Sequence, residues 1–379
     1  MRTVDQEQHF FCHNKTDVAW EKMSLLRKIN RVLLVLLIFM VYLILYSRMH
    51  RAPPAPSHTD IRAESGVVGG AVGGAVAEMA EAEEDILVVI CAAEERMGAA
   101  MTTINSIRSN TEANVFFYIV TLHDTVAYVR QYIEKTELKD IRFKILEFNP
   151  KVLKGRVRPD SSRPELLHPH TCLRKALLPL RRAIYLDDDV IVQGDIQDLY
   201  NTKLKPGHPA AFASDCDLPS EVVRTMGMQT TYMGFLDYRK LEVRELGINP
   251  SDCSFNPGVF VADIETWKRQ KITKHLETWM QQNFKNNLYS SAMSGGVATP
   301  PMLIVFHGKF TTLDPIWHVG HLGWSPDTQY SEASLNEAQL LHWSGRFKPW
   351  DYPCVHMELW EKWYVPDPSR RFTLVRPNS

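Results

Sequence analysis

From Ile86 onward, short apolar runs alternate with amphipathic stretches. Ile86-Leu-Val-Val-Ile-Cys91 reads as a buried strand, Met97 to Ser109 as a helix, Val115-Phe-Phe-Tyr-Ile-Val120 as a second strand and Thr125 to Thr136 as a second helix. Ile141 to Phe148, Ala183 to Val192 and Ala210 to Ala213 continue the strands. Strand and helix alternating at this spacing predict an α/β domain: a mostly parallel, doubly wound sheet flanked by helices, with ligands at the C-terminal ends of the strands.

Upstream the pattern changes. Val32 to Tyr46, VLLVLLIFMVYLILY, is a 15-residue run without charge, Gly or Pro, and it extends to residues 29–47 if Ile29 and Ser47 mark its ends. As a helix it would be roughly 22–28 Å long, short for a thick plasma membrane and adequate for a thinner internal bilayer. The run starts well inside the chain, and Arg48-Met-His-Arg51 is a poor small-residue cleavage site, which favours an uncleaved signal anchor over a signal peptide. Lys15, Lys22, Arg27, Lys28 and Arg31 precede the span, against Arg48 and Arg51 after it. The positive-inside bias therefore makes residues 1–28 a cytosolic tail and the bulk of the chain lumenal. Met23 is an alternative start.

Residues 48–85 combine Pro53, Pro54 and Pro56, a Gly/Ala/Val run from Gly66 to Ala77 and an acidic end at Glu81, Glu83, Glu84 and Asp85. None of it is patterned for a packed face, so it reads as a stem preceding a domain over residues 86–379. The formal charge of -1 over 379 residues discourages a nucleic-acid partner, which usually meets a basic excess. By zone that charge is +4 for residues 1–51, -6 for 52–85 and +1 for 86–379. Five of the 6 cysteines (Cys91, Cys172, Cys216, Cys253 and Cys354) would be lumenal, an odd set that leaves at least one unpaired within the chain. The sequon Asn14-Lys15-Thr16 falls on the cytosolic side and should be unused.

The sharpest chemical feature is Ala183-Ile-Tyr-Leu-Asp-Asp-Asp-Val-Ile-Val192, three carboxylates inside an apolar run. Burying three negative charges without a cation is costly. In extended chain Asp187 and Asp189 share one face and Asp188 takes the other, so the pair suits a hard divalent ion. A D-x-D pattern alone is weak, since Asp215-Cys-Asp217 is another, and a solvated turn at a strand end is the competing reading.

Two further motifs change the picture. Ser254-Phe-Asn-Pro-Gly-Val259 follows the triplet, and His342-x-x-Gly345-x-x-Lys348-Pro349-Trp350 lies near the C-terminus. In this order the three motifs resemble glycosyltransferase family 8, which includes glycogenin and the bacterial lipooligosaccharide galactosyltransferases. The resemblance extends over about residues 23 to 379 to the animal glycosyltransferase 8 domain-containing group. It implies a GT-A-type, Rossmann-like fold, a nucleotide-sugar donor, usually a UDP-sugar, a Mn²⁺ ion and transfer with retention of anomeric configuration. By resemblance, Asp187, Asp189 and His342 would ligate the metal, Asp188 would face the ribose, and Gly345 and Lys348 would approach the diphosphate. Carboxylate plus imidazole suits Mn²⁺ better than Ca²⁺. The turn Cys91-Ala-Ala-Glu-Glu-Arg96 resembles the family's uridine-binding turn, making Ala92, Glu94 and Arg96 base- and ribose-side candidates; without the resemblance it is an ordinary helix start. Asp215 and Asn256 match positions that contact the donor sugar, an Asn-Pro turn being the plain alternative for Asn256. Eight of 9 tryptophans lie at or after Trp267, and they read mainly as core or rim, with acceptor contact as the alternative.

Two departures from the family stand out. Where many active members carry an Asp-Gln pair beneath the anomeric carbon, this chain has Thr299-Pro300, which offers neither carboxylate nor carboxamide; the domain-containing subgroup shares the TPP sequence. The segment before the triplet, Glu165 to Pro179, differs from the family's Arg-bearing helix, with Arg174 as the nearest counterpart; residues 151–182 hold 9 Lys+Arg against 2 Asp+Glu, either a steering patch for a diphosphate or a solvated loop. The sequence thus supports a type II membrane glycosyltransferase of the Golgi or another secretory-pathway membrane, acting on a glycan, glycoprotein or glycolipid acceptor. It leaves open a catalytically silent nucleotide-sugar-binding or scaffold protein, a calcium-binding lumenal module, and the oligomeric state, a homodimer included.

Overall fold

The structure is a computed structural model that describes residues 85–156, 181–289, 298–325 and 330–377. The expected tail, anchor and sequon, all of the stem but Asp85, and Arg174 lie outside the described residues. Among the described residues no helix is long and apolar enough to cross a membrane.

Nine strands are described: β1 (Ile86–Cys91), β2 (Val115–Leu122), β3 (Arg142–Phe148), β4 (Arg182–Leu186), β5 (Val190–Val192), β6 (Ala210–Ser214), β7 (Phe255–Asp263), β8 (Phe310–Thr312) and β9 (Leu340–His342). Seven form one sheet in the order β3-β2-β1-β4-β7-β6-β8, and β5 pairs with β9 in a second. In the large sheet β1 to β4, and β6 with β8, run parallel; β7 is antiparallel to both of its neighbours. The expected mostly parallel sheet is therefore present. β7 was hidden in the sequence because Asn256-Pro257-Gly258 interrupts its apolar pattern at the start.

The inner strands β1, β4 and β7 are buried on both faces, which explains why they read as largely apolar runs, whereas the half-exposed edge strand β3 alternates apolar and charged residues. Side chains still alternate between two cores. Val89, Ala183, Tyr185, Phe212 and Phe260 enter one; Val88, Ile90, Ile184, Leu186 and Val261 enter the other. The second core is closed by α1 (Met97–Ser109) through Met97, Met101, Ile104 and Ile107, and by α2 (Val126–Glu134) through Tyr128, Val129, Tyr132 and Ile133. The first is closed by α3 (Ile272–Asn286) through Leu276 and Met280, and by α4 (Thr299–Phe306) through Met302, Leu303 and Phe306. Each fully buried side chain of this size contributes about 1.5–3 kcal/mol. Phe212 centres the aromatic packing, 4.2 Å from Phe255, 5.0 Å from Phe260 and 4.9 Å from Phe306 between ring centroids.

Thr299 and Pro300 are the buried first turn of α4, with proline at the start of the helix, where a missing N–H costs nothing. Cys216 and Cys253 form a disulfide that ties the chain after β6 to the chain before β7, Cys91 is also disulfide-bonded, and Cys354 is free.

Candidate functional site

The triplet sits where the chain changes partners. Leu186 makes the last paired contact of β4, with Val259, and the Asp187 backbone N–H donates to the Gly258 carbonyl at 2.8 Å. Three residues later Val190 pairs with His342 across β5 and β9. The expectation of one strand from Ala183 to Val192 is thus corrected: the strand ends at Leu186, because β7 supplies no pairing edge beyond Gly258 and the chain must turn to reach β9. The turn keeps the expected division of side chains. Asp187 and Asp189 face His342, while Asp188 turns to Arg96.

His342 Nε2 lies 3.0 Å from Asp189 Oδ1 and 3.8 Å from Asp187 Oδ2, and one ligand atom from each of the three residues falls within 4.8 Å of the others. The residues 153 positions apart are held by main chain as well as side chain, since the Trp343 N–H donates to the Asp189 carbonyl at 3.0 Å. Tyr185 donates its hydroxyl to Asp187 Oδ1 at 2.8 Å, leaving Oδ2 toward His342. Gly258 keeps this space open: a Cβ there would stand 2.4 Å from Asp187 Oδ2 and 2.5 Å from His342 Cε1.

Two cations hold the far side. Lys348 Nζ donates to Asp189 Oδ2 at 2.6 Å and to the Trp343 carbonyl at 2.7 Å. Arg96 donates to the same Asp189 oxygen at 3.0 Å and pairs with Asp188, with its guanidinium over the Trp350 ring at 5.3 Å. Burial alone would push every carboxyl of the triplet up. For Asp189, Lys348, His342 and Arg96 overcome burial and hold the carboxyl well below the usual range. For Asp188 burial dominates over Arg96, and the carboxyl is pushed up to about 7. Burial and then the Asp189 charge raise Asp187, whose side chain nonetheless keeps 36% of its surface exposed. Three carboxylates face two fixed cations, so the arrangement retains an anionic, partly open corner at Asp187, Asp189 and His342. Two hard oxygens and one imidazole there fit a divalent cation such as Mn²⁺.

Behind His342 lies a residue pair that the sequence reading missed. His318, 3% exposed, places Nε2 3.0 Å from His342 Nδ1. Burial, followed by the neighbouring His342 and His321, holds its pKa well below the ordinary histidine value. His321, in the left-handed region at φ 62°, places Nε2 3.3 Å from Asp215 Oδ1. Ser254 donates to the other Asp215 oxygen at 2.6 Å. The only sequence signal was His-x-x-His across residues 318–321, in a stretch with no periodicity to place it.

The remaining candidates take varied positions. Asp215 is buried and engaged on both oxygens, as above. Asn256 opens β7 and its Oδ1 accepts from the Gly258 N–H at 2.8 Å, so its side chain closes the local turn beside Asp187. Ala92 is buried at the end of β1, and Glu94 pairs with Arg371 at 2.9 Å. Arg96 belongs to the triplet's charge network rather than standing free on the nucleoside side. Gly345 has a reason within the fold: a Cβ there would lie 2.2 Å from both the Gly323 carbonyl carbon and the Trp324 nitrogen. Trp343, Trp350 and Trp360 are buried, as expected of core tryptophans.

The sequence profile of Glycosyl transferase family 8 matches residues 87–354. Glycosyltransferase 8 domain-containing protein 2 of Bos taurus is 57% identical over 364 residues, 94% of this chain and 100% of that protein. Glycosyltransferase 8 domain-containing protein 1 of Homo sapiens is 50% identical over 300 residues, 78% of this chain and 81% of that one. Among solved structures, the apo bifunctional glycosyltransferase WbbM superposes with a TM-score of 0.52 at 14% identity over 74% of this chain; the chain spans 52% of WbbM, and this likeness speaks for the fold alone. With the GT-A-like sheet, the matched profile and these relatives, the chain belongs to glycosyltransferase family 8.

Proposed function

We propose that the chain is a metal-dependent, retaining glycosyltransferase that takes its sugar from a UDP-sugar and passes it to a glycan, glycoprotein or glycolipid, anchored as a type II protein in a Golgi or other secretory-pathway membrane. The observation that carries the reading is the convergence of Asp187, Asp189 and His342 from the β4–β5 turn and β9, with Lys348 alongside. A bound Mn²⁺ would neutralise charge on the departing diphosphate as the sugar bond breaks. Asp187 Oδ2, Asp189 Oδ1 and His342 Nε2 would hold the ion. Lys348 places a positive charge beside it for the same anion, and Arg96 fixes Asp188 and Asp189 so that the ligand face keeps its shape. Asp215 and Asn256 are the sugar-side residues of the reading. Thr299-Pro300 supplies no nucleophile, so retention would rest on attack guided by the leaving phosphate on the same face of the sugar.

The test is UDP release from a panel of UDP-sugars by the full-length chain, with and without Mn²⁺. Metal-dependent turnover that disappears in Asp187→Ala is the expected result; a folded chain indifferent to every nucleotide sugar sinks the reading. Thr299-Pro300 favours a second reading, a catalytically silent nucleotide-sugar binder. That reading requires metal-dependent UDP binding without turnover, and a single detected transfer product excludes it.

A further inference from the structure

We infer that the cleft of about 580 Å³ between the start of α3, the second half of α4 and Lys309 is a second ligand site, which takes an acidic oligosaccharide. Sugar rings would lie against Trp279, and sulfate or carboxylate groups would meet the surrounding lysines. The inference goes beyond the transferase reading and does not depend on it, since binding at this cleft requires no turnover.

The cleft lies far from the triplet. Lys309 immediately precedes β8, whose Phe310 pairs with Ala210 of β6; Ala210 and Ala183 both pair with Ala262 of β7. The cleft is therefore at the end of the sheet where β4 begins, whereas the triplet follows the other end, and the 5 residues of β4 span about 16 Å. A ligand here would leave the Asp187–Asp189–His342 corner free for another.

The walls combine two chemistries. Ile272, Ile304 and Val305 are buried and form an apolar floor. Trp279 is half-buried, packing against the first core and also lining the cleft. An indole offers a flat apolar surface with an N–H donor at its edge. A sugar ring, with apolar C–H groups on its faces and hydroxyls around them, can use both. Gln270, His275 and Lys309 bring polar groups to the same cleft. Apolar walls with a few polar groups, at roughly 300–1,000 Å³, characterise ligand sites.

The surrounding charge selects an acid. Lys268-Arg269-Gln270-Lys271-Ile272-Thr273-Lys274-His275 holds four basic residues besides histidine and no acidic one, and Lys271, Lys274 and Lys309 are exposed. Gln270 Nε2 donates to the Gly207 carbonyl at 2.7 Å, and the Lys205 N–H donates to Thr311 Oγ1 at 2.9 Å, which brings the exposed Lys205 to the same side. Of the nearby acids, Glu277 is paired with Arg156 at 3.1 Å and Glu265 lies 3.9 Å from Arg181. Exposed ammonium groups around an apolar floor attract anionic groups, so a neutral glycan would leave this charge unused.

The experiment is calorimetry on the full-length chain in detergent. The probes are a heparin hexasaccharide, which carries sulfates and carboxylates, a hyaluronan hexasaccharide, which carries carboxylates alone, and neutral maltohexaose. The inference expects an acidic hexasaccharide to bind at least roughly tenfold more tightly than maltohexaose. Trp279→Ala, and separately the pair Lys271→Gln and Lys309→Gln, should each weaken that binding by roughly tenfold or more, with Trp279→Phe close to wild type. Saturating UDP with Mn²⁺ should leave it unchanged. No binding of either acidic probe overturns the inference, as does equal binding of maltohexaose or displacement by UDP and Mn²⁺. Binding indifferent to Trp279→Ala reduces the cleft to bare attraction between polyions and also overturns it. So does binding to vesicles of phosphatidylcholine and phosphatidylserine in place of the oligosaccharides, which would assign the face to a membrane. Should Trp279→Ala not fold, the exposed lysine pair and the UDP competition decide. A chain that binds an acidic hexasaccharide but no UDP removes the transferase reading and leaves this site standing.

Discussion

Asp189 and Asp187 lie two residues apart and carry opposite burdens. Asp189 accepts from Lys348 and Arg96 and faces His342, whereas Asp187 accepts from the Tyr185 hydroxyl and keeps a third of its side chain in solvent. Removing Asp189 leaves Lys348 with only the Trp343 carbonyl and Arg96 with only Asp188 among these partners, and breaking a buried pair costs about 3–5 kcal/mol. Asp189→Ala is therefore expected to lower the metal-free melting temperature by several degrees. Asp187→Ala should leave it close to wild type while weakening Mn²⁺ binding roughly tenfold or more, a split that calorimetry and melting curves read directly. Asp188 adds a pH effect of unusual sign. Its folded carboxyl, pushed up to about 7, takes up a proton that the unfolded chain has already lost above about 3.9. Stability from this residue thus falls as pH rises between those values. Metal-free Asp188→Asn should gain on the wild type across that window in denaturant titrations, and parallel curves at pH 5 and 7.5 would refute the assignment. The triplet, His342 and Lys348 were legible because the ordered motifs named them. Asp188's pairing with Arg96 and the His318 and His321 supports were not, because contacts across 92 and 24 residues leave no local pattern.

At the level of elements, β1, α1 and β3 were readable almost to the residue: β1 because burial on two sheet faces writes an uninterrupted apolar run, α1 from the apolar residues Met97, Met101, Ile104 and Ile107 along its buried face, and the edge strand β3 from its alternation of apolar and charged residues. The break at Leu186 was not. It arises from the end of the β7 edge at Gly258 and the start of pairing with β9, a partner some 150 residues downstream in sequence. Two glycines separate what this junction does for ligand geometry from what it does for folding. At Gly258 an added methyl meets side-chain atoms of Asp187, His342 and Asn256 rather than backbone. At Gly345 it meets the backbone of Gly323 and Trp324, while the Gly345 N–H is bound to the Leu322 carbonyl at 3.1 Å, so neither strand of the contact can yield. Gly345→Ala is expected to cost about 1–3 kcal/mol or more in denaturant titrations. Gly258→Ala should unfold near wild type and yet lose most of its Mn²⁺ affinity; equal destabilisation of the two would show that the junction is a single packing unit.

Over the whole molecule, charge is partitioned by zone rather than balanced locally. The chain ahead of the apolar run Val32–Tyr46 carries Arg2, Lys15, Lys22, Arg27, Lys28 and Arg31, residues 52–85 are acidic, and residues 86–379 are near neutral. A hydrophobic run flanked in this way inserts with its more basic side toward the cytosol. The orientation matters chemically, because a disulfide such as Cys216–Cys253 persists in an oxidising lumen and is uncommon in the cytosol. Both lines support the proposed lumenal placement of residues 86–379. In sealed microsomes, protease should remove an epitope at the N-terminus and spare one at the C-terminus, and Asn14 should carry no glycan. Replacing Lys15, Lys22, Arg27, Lys28 and Arg31 with glutamine removes the bias, since Arg2 alone then precedes the run while Arg48 and Arg51 follow it. The variant should insert in mixed orientation, with a fraction of chains now glycosylated at Asn14. A C-terminal epitope cleaved in the wild type would reverse the topology and, with it, the compartment in which the Asp187–Asp189–His342 corner meets its donor.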